Sequence, residues 1–106
     1  MDFKNYIPNR AFPQIKKWIT ELNIDIRFVN PRKTKLGDYQ FRNNRHFITV
    51  NNNLNKYAAL ITLTHEIAHA FTFAEFGKTI KPHGIQWKEN FKKLMLTFFD
   101  YNIFPD

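Results

Sequence analysis

His65-Glu66-Ile67-Ala68-His69 packs two imidazoles and a carboxylate into little more than one helical turn. On a helix, residues four apart share a face and lie about 6 Å apart along the axis. His65 and His69 could then converge on one Zn²⁺, with Zn–N distances of about 2.0–2.1 Å. Glu66 would project about 100° away round the helix, able to reach a metal-bound water without being a ligand. The chemistry this suits is hydrolysis. Zinc lowers the pKa of its water to about 7, and a carboxylate takes the proton as the water attacks a carbonyl. Once protonated, the same carboxyl can deliver the proton to a leaving amine. With 4 His and 4 Glu in 106 residues, the five-residue pattern arises by chance in roughly 0.5% of such chains, so two structural histidines are the weaker explanation.

A catalytic zinc site needs a third protein ligand and an open position. Glu75 stands ten residues after His65, but at 100° per residue it leaves the His65/His69 face, and the segment Phe71 to Phe76 reads as helical throughout. Glu89 lies further on, inside the last helix. His83 lies in the loop before that helix, followed by Gly84, which lets backbone pass close to a site. Chemistry alone leaves His83 and Glu89 open.

The elements that must position these groups follow from periodicity. After a short tether, Pro13 suits a first helical turn, and Ile15, Trp18, Ile19 and Leu22 form one apolar stripe. Ile24, Ile26 and Phe28 alternate with Asp25, Arg27 and Val29, which predicts a strand ended by Asn30-Pro31. Lys33 to Phe41 predicts a second strand with Gly37 as a bulge, and His46 to Val50 a third after the turn residues Asn43-Asn44. The simplest arrangement is a three-stranded, mostly antiparallel sheet. An Asn-rich joint (Asn51, Asn52, Asn53, Asn55) offers a helix cap, and the next helix runs from about Lys56 to Phe76 with Gly77 as its stop. Lys78 and Lys81 suit the negative end of that helix. Trp87, Phe91, Leu94 and Phe98 mark a last helix. The fold class is α+β, in a single domain spanning residues 1–106.

Composition narrows the rest. The chain has no Cys, which excludes disulfides, thiolate zinc ribbons and cysteine nucleophiles. No apolar run approaches the roughly 18 residues needed to span a bilayer, and the first residues lack an export signal, so the expected location is cytoplasmic, away from membranes. The net charge of +7 resides in residues 1–59, where Arg27, Arg32, Lys33, Lys35, Arg42 and Arg45 surround the lone acid Asp38. Such a patch is either a solvated face or an attractor for phosphate-rich partners. Tyr39 and Phe41 interleave with Lys35 and Arg42; they read as core, with base stacking as the rival. His46 reads as a surface or half-buried strand histidine, and Trp18 and Trp87 as core.

The run Thr62-Leu63-Thr64-His65-Glu66-Ile67-Ala68-His69-Ala70, followed by His83-Gly84-x-x-Trp87, resembles the SprT-like (SprT/Spartan-like) zinc metallopeptidases. The stretches Gly37-Asp38-Tyr39 and His46-Phe47-Ile48-Thr49-Val50-Asn51 resemble the strand region of bacterial members, and the likeness spans about residues 24–98. The resemblance implies a small zincin-like domain with its active-site helix packed on a small sheet. It implies Zn²⁺ held by His65, His69 and His83, with Glu66 as general base and Glu89 left on the helix surface. It further implies protein or peptide substrates, DNA-associated proteins among them. Many members extend into a cysteine-based zinc ribbon or DNA-binding segments. With no Cys here, any DNA contact is expected from the basic strand region itself. The rival expectations are a nucleic-acid-binding module with a structural or vestigial zinc site, and a protease dedicated to one regulatory partner.

Overall fold

The computed structural model describes residues 3–105. Three helices and three strands follow in the order α1 (Phe12–Leu22), β1 (Ile24–Val29), β2 (Gly37–Arg42), β3 (Arg45–Asn51), α2 (Lys56–Phe76) and α3 (Ile85–Asp100). The segment before α1 is no loose tether. Phe3, Ile7 and Ala11 are buried, and Tyr6 stacks on Phe28 with ring centroids 4.4 Å apart. In α1, Pro13 sits in the first turn and Asn23 ends the helix in the left-handed region at φ 56°. Ile15 and Trp18 are buried, and Trp18 meets Phe98 of α3 edge to face.

The sheet is mixed, with strand order β1-β3-β2, which corrects the mostly antiparallel expectation. β2 and β3 form the antiparallel hairpin, turning through Asn43 and Asn44 at φ 52° and 60°, the left-handed pair that two-residue hairpins favour. β1 pairs with β3 in parallel, Ile24 opposite His46 through Val29 opposite Asn51. The physical reason lies in the connection 30–36, which crosses the end of β3 and carries the chain to the far edge. Asn51 stitches that crossing. Its backbone N–H donates to the Leu36 carbonyl at 2.8 Å, and its buried side-chain amide donates to the carbonyls of Lys35 and Arg32 at 2.8 and 3.3 Å. Arg32 completes the stitch, donating to Thr49 Oγ1 at 2.7 Å and to Asn51 Oδ1 at 3.0 Å.

β2 is therefore shorter than expected, and Gly37 is its first regular residue, opposite Val50, not a bulge. Ile24, Ile26, Phe28, His46, Ile48 and Val50 are buried on the inner face, and register places Gly37, Tyr39 and Phe41 on that same side. α2 lies across this face and is packed in turn by α1 and α3. Among the described residues no helix is long and apolar enough to cross a membrane.

α2 begins at Asn55, whose side chain accepts hydrogen bonds from the backbone N–H groups of Tyr57 and Ala58 at 3.1 and 2.9 Å. Replacing that cap leaves two donors for water alone. Asn55→Ala is expected to lower the unfolding free energy by about 1 kcal/mol, read as a shifted urea midpoint at unchanged slope.

Candidate metal centre and active-site cleft

Helical phase brings His65 and His69 to the same side of α2, half-buried, while Ile67, Ala68 and Ala70 fill the core. His83 reaches the same point from the loop between α2 and α3. Its Nε2 lies 3.1 Å from His65 Nε2 and 3.0 Å from His69 Nε2. Hydrogen bonds among these three nitrogens cannot satisfy them. A neutral His83 Nε2 has either one lone pair or one proton, and so serves one neighbour only. A cation shared by three lone pairs does satisfy them, and two nitrogens on a tetrahedral zinc lie about 3.3 Å apart. The three histidines are thus placed to hold a metal ion. Burial, and then the charge of His83, holds the His65 pKa below its usual range. The same causes push His69 down to about 4, so both are neutral near pH 7, the form that ligates.

The third histidine arrives on strained backbone. His83 has φ 61°, in the left-handed region where a residue other than glycine costs of order 1–3 kcal/mol. The turn that imposes it is closed by the Gly84 N–H donating to the Lys81 carbonyl at 3.1 Å. A Cβ at Gly84 would approach that carbonyl to 3.0 Å. Trp87, one turn into α3, backs the cluster. Its ring centroid lies 4.6, 5.3 and 4.8 Å from those of His65, His69 and His83. Its indole N–H donates to the His65 carbonyl at 3.2 Å, tying α3 to α2.

Glu66 is buried beside the histidines and lines the same cleft, a cavity of about 510 Å³. Its pKa is pushed up to about 7, chiefly by burial and then by the nearby charge of Asp38, against the opposing pull of Arg32 and Lys35. Gly37 makes room for it: a Cβ there would come within 2.8 Å of Thr62 Cγ2 and 3.0 Å of Glu66 Oε2. That close approach of β2 to α2, not a strand irregularity, is what requires glycine at 37. Across the cleft Tyr39 lies near-parallel to the His69 ring at 6.1 Å, and its hydroxyl pairs with His46 Nδ1 at 2.7 Å. Burial raises the Tyr39 pKa and lowers that of His46, so both stay uncharged. His46 is buried, deeper than its sequence context implied. Tyr39 and Phe41 face inward with it, Phe41 packing on Phe73 of α2 at 4.4 Å.

Glu75 accepts from the Asn90 amide at 3.0 Å and lies outside the histidine group, as does the exposed Glu89. Arg32 is occupied by Thr49 and Asn51, and Lys35 pairs with Asp38 at 3.1 Å. Lys33 is exposed. Arg27, paired with Asp25 at 3.4 Å, stands on the outer sheet face with Arg42 and Arg45. The two latter guanidiniums lie 4.0 and 5.9 Å from the centre of the Phe47 ring. Sequence reasoning missed Asp38 as a neighbour of Glu66, Asn51 as the stitch, and Phe73, Ile80, Lys78 and Lys81 as cleft walls. The single acid in a basic run was the one usable signal among them.

His83→Ala is expected to lower bound metal from about one ion per chain to well below half, while Glu89→Ala leaves it unchanged, measured by elemental analysis after dialysis against trace zinc. No curated protein matches the chain. The family model of the SprT-like family matches residues 9–104, nearly all of the sequence, and the chain belongs to that family.

Proposed function

We propose that this is a zinc-dependent peptidase in which His65, His69 and His83 hold the metal and Glu66 is the general base. The observation that carries the reading is three imidazole nitrogens about one point with a buried carboxylate on the adjoining residue. Bound zinc would supply an acidified water and polarise the carbonyl of the scissile bond. Glu66 hydrogen-bonds the attacking water, takes its proton as the C–O bond forms, and passes it to the amide nitrogen as the C–N bond breaks. A carboxyl with a pKa near 7 suits both halves of that exchange. Trp87 fixes the imidazoles through its ring and its bond to the His65 carbonyl.

A peptide is the substrate that the surroundings favour. β2 is an edge strand with β3 as its one partner, and Gly37, Asp38 and Tyr39 on it line the cleft. An extended chain could add to that edge through main-chain hydrogen bonds. A Cys-free chain suits a reducing compartment such as the cytoplasm.

A second reading is favoured by the outer sheet face, where Arg42 and Arg45 flank Phe47 and Arg27 stands one strand away. Cations beside a half-buried ring suit single-stranded nucleic acid, which would make substrates of DNA-associated proteins. If binding is the whole function, an Arg42→Ala/Arg45→Ala variant loses affinity for a single-stranded oligonucleotide and the Glu66 carboxylate is dispensable.

Two outcomes test the peptidase. Glu66→Gln should keep its zinc and lose at least a hundredfold in kcat on an unfolded protein substrate; full activity would refute the assignment. Asp38→Asn removes a negative charge that raises the Glu66 pKa. The acidic limb of kcat/KM should then move to lower pH, since Glu66 would ionise more readily.

A further inference from the structure

The cleft has two unlike ends. At the Gly37 end it is tight and charge-balanced, with Gly37 allowing no side chain and Asp38 paired to Lys35. At the other end its lining comes from the C-terminal turns of α2 and the loop 77–84. Phe73, which packs on Phe41 of β2, and Ile80 are apolar and half-buried there, and Lys78 and Lys81 stand exposed beside them. Gly77, at φ 70°, turns the chain out of α2 so that Lys78 borders the cavity. Neither lysine has a carboxylate within ion-pair distance among the described residues. Among the described residues the ion pairs are Arg27–Asp25 and Lys35–Asp38, both elsewhere. The nearest acid in sequence, Glu75, is engaged by Asn90.

Resting on the peptidase reading, we propose that this end of the cleft is a specificity subsite for acidic peptide segments. An apolar side chain seats against Phe73 and Ile80, and a neighbouring Glu or Asp meets Lys78 and Lys81. Two ammonium groups over a partly desolvated apolar wall attract a carboxylate and repel a basic residue in the same place. The Asp38 end offers no such preference, because its charge is already matched by Lys35. The selection therefore acts on one side of the scissile bond. Being partly solvated, it weakens as salt rises.

The experiment uses the zinc-loaded chain and two quenched fluorescent peptides of one apolar sequence, flanked on both sides by Glu in one and by Lys in the other. The expected result is a kcat/KM about tenfold higher for the acidic peptide, carried mainly by KM and shrinking at 0.5 M salt. Lys78→Glu alone should flatten the preference and Lys78→Glu/Lys81→Glu should invert it, with zinc content and melting temperature held as controls. Equal rates on the two peptides, or an acidic preference that survives in the double variant, overturn the subsite. If neither peptide is cleaved although zinc is bound, the peptidase reading fails by itself. Trp87 fluorescence titrations then decide the subsite, since tighter binding of the acidic peptide upholds it and equal binding refutes it.

Discussion

The rest of the molecule is arranged around a helix whose middle, from Thr62 to Phe73, has no exposed residue. α2 buries Leu60, Leu63, Ile67 and Ala70 in the core, but it also buries Thr64, Glu66 and Thr72. The two threonines satisfy themselves locally, each hydroxyl donating to the carbonyl four residues back, Leu60 and Ala68. Glu66 does not, and a carboxylate held out of water is expensive unless something compensates it. The surroundings are organised to tolerate it. Gly37 clears the space, Arg32 and Lys35 approach from the crossing loop, and the three histidines gather on its flank. A core optimised for stability alone would place an apolar residue at 66.

That arrangement ties the topology of the sheet to the electrostatics of the cleft. Because β3 is central, β2 becomes the edge and lies directly over α2. The loop that makes this order possible brings Arg32 and Lys35, and the strand it leads into brings Asp38, to the neighbourhood of Glu66. Arg32 serves both ends of the coupling: its guanidinium bonds the end of β3, and its charge acts on the carboxyl. A change in the crossing would alter the charge around Glu66 without touching any of the three histidines.

Much of this was legible in the residues. The helical spacing of His65 and His69 and the stop at Gly77 can be read in order along the chain, because each rests on local geometry; local chemistry leaves His83 and Glu89 open as the third ligand, and only the family resemblance favours His83. The Asn-rich joint was legible only in part. Asn55 caps α2 as expected, whereas Asn51 spends its side chain on carbonyls sixteen and nineteen residues earlier, a contact no local pattern encodes. The parallel pairing of β1 with β3 escaped for the same reason, since alternation is identical in either direction. Gly37 reads in the sequence as a bulge and serves instead as a point of close approach. A strand glycine signals either a bulge or a close approach, and only packing against Thr62 and Glu66 distinguishes them. The basic run divides in sequence between the loop 30–36 and the strands, and no local pattern encodes that Arg32 and Lys35 are engaged by Thr49, Asn51 and Asp38.

His83 has one further consequence. An ion gripped by His65, His69 and His83 would span fourteen to eighteen residues of chain. It would act as a cross-link in a protein that has no cysteine to make one. In the chain-entropy account, closing a loop of about 15 residues is worth about 3 kcal/mol, enough to offset the left-handed backbone at 83. The segment so tethered is 77–84, the same segment that lines one end of the cleft. Metal occupancy and the shape of that end would then be two readings of one equilibrium, with the ion as a clasp that assembles both.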